Sequence, residues 1–259
     1  MALPPRAMLE PTTLALAAAA GMLGGAMNAL AGGGTFATMP ALIAIGLPSP
    51  IANATSNVAL QPGAIASAWT FRDGLAPVGG INIRPLAAIT FVAALAGSLL
   101  LVVTPTSTFD VIIPWLLLIA TLAIAFGKQA AAALARHAAP GPAAMIVAQV
   151  LLGVYGGYFG GGVGLMFTAA WGLLAGEPPE RLMAPRTLML AAANAAATIV
   201  FIGFGMVRWE ACVPMLLGAI LGGWLGARLG RVLPPRVIRI WTLLVTVVTT
   251  IIFFVRAYA

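Results

Sequence analysis

Charge is what this sequence has least of. Of 259 residues, 7% are Asp, Glu, Lys or Arg, while 61% are hydrophobic and the mean hydropathy is +1.06. An ordinary soluble domain carries about 25% charged residues. Residues 11–71, 85–109 and 138–176 contain no Asp, Glu, Lys or Arg at all. Such a chain cannot cover a folded surface in water, and a bilayer-spanning helix needs about 20 mostly apolar residues. The soluble classes are excluded, and the sequence reads as an all-α polytopic membrane protein.

Other absences narrow the chemistry. Asp73, Asp110, Glu177, Glu180 and Glu210 lie in or beside connectors, and no acidic residue sits deep in an apolar run. This argues against a carboxylate proton relay through the membrane centre. The one histidine, His137, is in a hydrophilic connector, and the one cysteine, Cys212, has apolar neighbours. No His/Cys cluster is available for a transition metal, and no cofactor is expected. Cys212 cannot form an intramolecular disulfide and reads as a small packed hydrophobe. The "GGG" runs lack the lysine and hydroxyl of an ATP-binding loop, and no nucleotide-binding domain is present. There is no nucleophile–base pair or carboxylate cluster for an enzyme. The start, "MALPPRAMLEPTT", lacks the pattern of a detachable signal peptide. The net charge of +7 is scattered at the ends of apolar segments. It marks topology or lipid-headgroup contact rather than nucleic acid.

What is present is a repeated plan. Apolar segments cover 12–45, 51–70, 84–103, 111–127, 142–175, 185–206, 211–229 and 237–256. The stretch 128–141 separates an N-terminal repeat (1–127) from a C-terminal repeat (142–259). "GGAMNALAGGGTF" (24–36) matches "GVYGGYFGGGVGL" (153–165), with Gly32, Gly33 and Gly34 on Gly160, Gly161 and Gly162 and Gly25 on Gly153. Each run is followed by a turn, "GLPSP" or "GEPPE", and then by a semi-polar helix. Paired halves of this kind are a common plan in secondary transporters.

The basic residues choose between two topologies. Eight full crossings put Arg6, Arg72, Arg84, Lys128, Arg136, Arg208 and Arg256 on one face and Arg181, Arg186, Arg228, Arg231, Arg236 and Arg239 on the other, which is no bias. The segments 12–45 and 142–175 are longer than one span requires. If each instead enters as a hairpin of two short helices and turns at its glycines, three crossings follow in each half. Ten basic residues then share one face and Arg6, Arg208 and Arg256 the other. The positive-inside rule selects this arrangement, with the connector cytoplasmic, both termini outside and the halves inverted.

Candidate ligand contacts follow from the same breaks. A helix broken in hydrocarbon exposes backbone groups, tolerated where they line a cavity. The restarting helices point positive partial charge at an anion. Tight helix packing is the competing role for these glycines, and "LGGWLGARLG" (221–230) suits that role best. Asn53, Asn57 and Gln61 share one face of the next helix, flanked by Thr55 and Ser56. Neutral amides and hydroxyls suit an oxyanion, or serve as interhelical glue. Pro62 is expected to kink that helix. In the matching helix Arg186, Leu190 and Asn194 share a face, and Arg186 supplies a fixed positive charge. Asn28 stands one turn before the first triple glycine. Tyr155 and Tyr158 have hydroxyls near the second. Coupling is left to a protonated substrate, a cation held by carbonyls, or a boundary carboxylate. The oligomeric state has no signature in the sequence.

The stretches "GGAMNALAGGGTFATMPAL" (24–42), "SPIANATSNVALQPGAIAS" (49–67) and "GVYGGYFGGGVGLMFTAA" (153–170) resemble the TauE/SafE family, also called the 4-toluene sulfonate uptake permease family. The resemblance spans nearly the whole chain. It implies a multi-pass permease of the bacterial inner membrane that moves sulfite, sulfonates or related small anions. It puts the family's glycine runs on Gly32–Gly34 and Gly160–Gly162 and its polar helix start on Asn53, Thr55, Ser56 and Asn57. In the second half this chain departs from the family's Gly-Thr/Ser helix start and has "MAPRTL", with Pro185 and Arg186. The function expected is a secondary transporter working by alternating access. The alternatives are an anion channel, or a structural or interaction subunit.

Overall fold

The computed structural model describes residues 10–134, 141–178 and 181–258. A chain in hydrocarbon must pair its own backbone groups, which favours helices. Among the described residues ten α-helices form: α1 (Pro11–Ala31), α2 (Thr35–Ala44), α3 (Ser49–Thr70), α4 (Ile83–Val103), α5 (Thr106–Leu134), α6 (Pro142–Tyr158), α7 (Val163–Ala175), α8 (Met183–Gly203), α9 (Trp209–Val232) and α10 (Pro235–Tyr258). Among the described residues the sole β feature is one bridged pair, Val78 and Ile81. Helices α1, α4, α5, α8, α9 and α10 are long and apolar enough to cross a membrane. At 22 residues α3 is as long, but its amides and hydroxyls lower its hydropathy, and residues 52–61 are all buried in protein. The protein is a multi-pass membrane protein.

Both glycine runs break a helix. Gly32 ends α1 in the left-handed conformation (φ 74°), its N–H turned back on the Met27 and Asn28 carbonyls, a geometry open to glycine and strained for other residues. Then α2 lies back against α1, with Gly24 facing the Gly34 carbonyl and the Thr38 methyl. In the second half Gly160 (φ 78°) and Gly162 (φ 73°) are both left-handed, whereas Gly34 is right-handed, so the breaks are related but not identical. The expected hairpins of two short helices need correcting. The first arms have 21 and 17 residues and only the second arms, with 10 and 13, are short. Nothing in the Ala-rich first arms stops a helix before the glycines. The helix α5 also runs on through the connector as far as Leu134; Arg136, Glu180 and the rest of the connector up to residue 140 lie outside the described residues, as does Arg6.

The packing partners are symmetric. Helix α1 packs on α9 as α6 packs on α4, α3 packs on α9 as α8 packs on α4, and α2 packs on α10 as α7 packs on α5. Helices α3 and α8 cross each other, as do α5 and α10. Exchanging α1–α5 with α6–α10 leaves this pattern unchanged. The two parallel pairs are glycine contacts. Gly218, Gly222 and Gly226 of α9 face the backbone of Ala18, Met22 and Ala26, and Gly21 and Gly25 of α1 face the Met215 and Ala219 carbonyls. Gly153 and Gly157 of α6 meet Thr90, Ala93 and Ala94 of α4 in the same way.

These contacts also order the ends. The start of α1, the α2–α3, α4–α5 and α8–α9 turns and the end of α10 share a first face. The α3–α4, α7–α8 and α9–α10 turns share a second. Arg72, Arg84, Arg181, Arg228, Arg236 and Arg239 stand towards the second face, Arg208 and Arg256 at the first.

A Cβ at Gly222 would collide with the Met22 carbonyl, whereas one at Gly63 would meet nothing within 4 Å. Gly222→Ala should therefore destabilise by about 1–3 kcal/mol, the usual cost of overpacking. Gly63→Ala, in a helix interior, should be neutral or stabilising by up to about 1 kcal/mol. Thermal unfolding of the two purified variants in one detergent compares them, and equal melting temperatures would contradict the packing role.

Candidate functional site

The centre of the molecule is the antiparallel crossing of α3 and α8. Asn57 Nδ2 donates to Asn194 Oδ1 at 3.3 Å, and Thr198 Oγ1 donates to Asn57 Oδ1 at 3.3 Å. Gln61 Nε2 donates to the Ala191 carbonyl and Asn53 Nδ2 to the Tyr158 carbonyl, each at 3.2 Å. Every one of these bonds joins the first half to the second, so the amide stripe faces the bundle interior and ties the halves together. Asn53 Oδ1 and Gln61 Oε1 are buried without a donor, positions where a water or a cation gains a ligand.

The hairpins hold the other expected residues. Asn28 Oδ1 accepts the Gly34 N–H at 3.3 Å, and Thr38 Oγ1 bonds the Gly34 carbonyl and, at 2.5 Å, Ser56. Thr55 Oγ1 accepts the Arg208 N–H at 3.1 Å and so caps the start of α9. Tyr155 donates to the Gly161 carbonyl at 2.8 Å, and Tyr158 reaches Thr104 at 3.4 Å. Gly160 lies beside Asn57 and Asn194, and Gly162 beside Phe36 and Ala120. Gly33 packs on Phe36.

A cavity opens where the two hairpins meet α3 and α8. Its polar lining is Asn28, Ser67, Arg186 and Thr187, with backbone from Gly32 and Gly164. The glycines let the hairpins touch: a Cβ on Gly32 would lie 3.8 Å from the Gly164 Cα. Gly164 is in the first turn of α7, where the Val163 and Leu165 N–H groups donate to the Gly160 and Gly162 carbonyls, which leaves the Gly164 N–H as the donor of that turn open to the cavity. Phe71 and Met183 stand on the side of the second face. The interior space is about 20 Å³, room for about one water. Arg186 is half-buried. Among the described residues its guanidinium has no hydrogen bond or ion pair, the one ion pair being the exposed Arg72–Asp73 contact at 3.8 Å. No group of three or more His, Cys, Asp or Glu that could hold a metal occurs among the described residues.

The cavity thus brings together Asn28, Gly32 and Arg186. It leaves Gly33, Gly34, Asn53, Thr55, Ser56, Asn57, Gln61, Tyr158, Gly160, Gly161, Gly162 and Asn194 outside its lining. Ser67, Gly164 and Thr187 are the lining residues that sequence reasoning missed. For Ser67 a signal was present: the Asn53–Asn57–Gln61 stripe continues at spacings of three and four through Ala64, Ser67 and Phe71.

Removing one partner from the α3–α8 crossing leaves the other amide buried and unpaired. Asn57→Ala should cost about 1–3 kcal/mol. Asn194→Ala should cost little more once Asn57 is gone. A double-mutant cycle of unfolding free energies checks this, and strict additivity would show that the two side chains do not interact.

The comparisons with known proteins agree on kinship. The profile of the sulfite exporter TauE/SafE family matches residues 17–253. The chain is 28% identical over 243 residues to the probable membrane transporter protein ORF9 of Sinorhizobium sp., covering 92% of this chain and 91% of that one. It is 28% identical over 223 residues to the probable membrane transporter protein YfcA of Escherichia coli K12, covering 86% and 82%. It is 27% identical over 219 residues to a probable membrane transporter protein of Haemophilus influenzae, covering 83% and 84%. No solved structure gives a significant match. With the profile spanning all but the ends of the sequence, this chain belongs to the TauE/SafE family.

Proposed function

We propose that the protein is a secondary transporter of small organic or sulfur-containing anions across the bacterial inner membrane, working by alternating access. The observation that carries this reading is Arg186: a half-buried guanidinium without a partner among the described residues, lining the cavity between the two glycine breaks. A cation taken out of water and left unpaired is costly. A site that accepts this cost and surrounds it with neutral donors is suited to an oxyanion of one or two charges. Asn28, Ser67 and Thr187 supply side-chain hydrogen-bonding groups, and the first turn of α7 supplies the Gly164 N–H and the positive end of its dipole. Tetrahedral sulfite, thiosulfate and sulfonate groups suit such a set, as does a small carboxylate.

The transport cycle has structural support as well. The cavity lies towards the second face, which carries most of the described arginines, so that face is assigned to the cytoplasm. On that assignment both termini are outside, each hairpin enters from its own side, and the repeats 1–127 and 142–259 are inverted about the connector. The cavity has space for about one water in this state, so loading an anion requires the mouth at Phe71 and Met183 to widen. The symmetric packing provides an equivalent arrangement at the opposite face. Asn53 Oδ1 and Gln61 Oε1, buried without donors, offer carbonyl ligands to a coupling cation.

Binding is checked by the thermal shift of purified protein with sulfite, thiosulfate, sulfoacetate, 4-toluenesulfonate and carboxylate analogues. A subset should stabilise by mass action, and an equal response to every salt would refute recognition. Arg186→Gln should abolish the shift and weaken affinity about 10- to 100-fold, the worth of a charge-assisted hydrogen bond. Arg186→Lys should keep part of it. Saturable flux with trans-stimulation distinguishes a carrier from a channel.

Orientation is checked separately. Because Cys212 is fully buried, a cysteine introduced at Gly141 is the one thiol open to an impermeant reagent. It should react in inverted vesicles and not in intact cells; reaction in intact cells only would reverse the assignment.

A further inference from the structure

A second cleft, of about 390 Å³, lies at the first face. It is walled by the α2–α3 turn from Gly46 to Ser49, by Thr106 and Asp110 at the start of α5, and by Arg256 at the end of α10. Its place in the fold corresponds to that of the Arg186 cavity. That cavity surrounds the start of α8, and this cleft surrounds the start of α3, the helix that takes the place of α8 when the halves are exchanged. The two helices cross between them at Asn57 and Asn194. The cleft also carries a charge of the same kind. Arg256 is exposed and, among the described residues, has no hydrogen bond or ion pair, although Asp110 lines the same space.

One short helix connects the two cavities. α2 begins at the Gly32–Gly34 break, whose first glycine lines the inner cavity, and ends at Gly46 (φ 89°) in the outer one. Its far end packs Ile45 and Leu47 into the apolar core with Phe109 and Ile113 of α5, and one side-chain hydrogen bond, from Ser49 Oγ to Asp110 Oδ1, fastens the start of α3 to α5.

We propose that this cleft is the outer station of the anion path, that Arg256 receives the anion there, and that the Ser49–Asp110 hydrogen bond latches the α2–α3 turn shut while the inner cavity is the accessible one. The proposal rests on the anion-transport reading above. Asp110 beside Arg256 lowers the local positive potential, so the station holds an anion briefly, as a transit site must. Releasing the latch frees α2 to move at its outer end, and its inner end carries that motion to Gly32.

The test measures transport of radiolabelled sulfite, thiosulfate and 4-toluenesulfonate from each side, in right-side-out cells and in inverted vesicles. Arg256→Gln should raise KM about tenfold for anion presented at the first face, equivalent to one charge-assisted contact. KM from the second face should stay within about twofold of wild type. Arg256→Lys should restore the first-face value. Ser49→Ala should speed labelling of a cysteine placed at Leu47, which is buried in the latched turn, several-fold. An unchanged first-face KM in Arg256→Gln, equal rises from both sides, or labelling unaffected by Ser49→Ala would overturn the proposal. Failure of the underlying reading looks different: no flux of any of the three anions by the wild type, or flux and KM indifferent to Arg186→Gln from both sides.

Discussion

A helix cannot be broken inside hydrocarbon unless something takes up the backbone groups that the break releases. This molecule breaks two, and the rest of its architecture answers that demand. At the first break Gly32 returns its N–H to the carbonyls of Met27 and Asn28, the Asn28 side chain takes the Gly34 N–H, and Thr38 takes the Gly34 carbonyl. At the second, the Tyr155 hydroxyl takes the Gly161 carbonyl. Two breaks brought tip to tip shield each other from lipid, and α3 and α8 close the remaining sides. The polar stripe that makes α3 a poor lipid-facing helix is what makes it a good wall here. Cavity, amide crossing and hairpins are therefore consequences of one constraint.

That constraint also bears on the binding role proposed for Arg186. Within a low-dielectric wall a guanidinium interacts strongly with an arriving anion, but it has lost its hydration in the same proportion. The net gain is modest, which suits a carrier that must release what it binds. Neutral donors around Arg186 add geometry without adding charge. Had the chain placed a carboxylate beside Arg186, the pair would have satisfied itself and excluded the substrate. The scarcity of acidic residues in the apolar segments is as much a part of the proposed site as the arginine.

Much of this was legible in the sequence, and the exceptions have physical causes. The helical membrane class, the paired glycine runs and the interior-facing stripe of Asn53, Asn57 and Gln61 all follow from composition and from spacings of three or four. Arg186 could be singled out as a charge beside an apolar run. What periodicity could not divide was the work among polar residues on one stripe. Asn57 and Asn194 bond each other, whereas Ser67, almost three turns further along α3, reaches the cavity. The difference is set by where α8 crosses α3, a tertiary fact with no local signature. The arm lengths were hidden for a related reason. A glycine run shows where a helix stops, but not how far the preceding helix extends, and the first arms run 21 and 17 residues, the former long enough to span.

The packing further separates sequence halves from mechanical ones. The first hairpin lies on α9 and α10, and the second on α4 and α5, so each hairpin is seated on the opposite half. The seats differ in kind from the crossing between them. Along α1–α9 and α4–α6, glycines bring backbone against backbone over several turns, and sliding such surfaces loses many close contacts at once. The α3–α8 crossing rests on single amide and hydroxyl bonds, each worth about 1 kcal/mol inside a membrane. The stiff bodies are then α1, α2, α9 and α10 on one side and α4, α5, α6 and α7 on the other. In the proposed transport cycle, motion between them would shear this crossing and the α5–α10 contact, where Thr121 meets Thr250, and would change the gap between Gly32, which belongs to the first body, and Gly164, which belongs to the second. On that reading the proposed site, whose two glycine walls are carried by different bodies, opens and closes as they move.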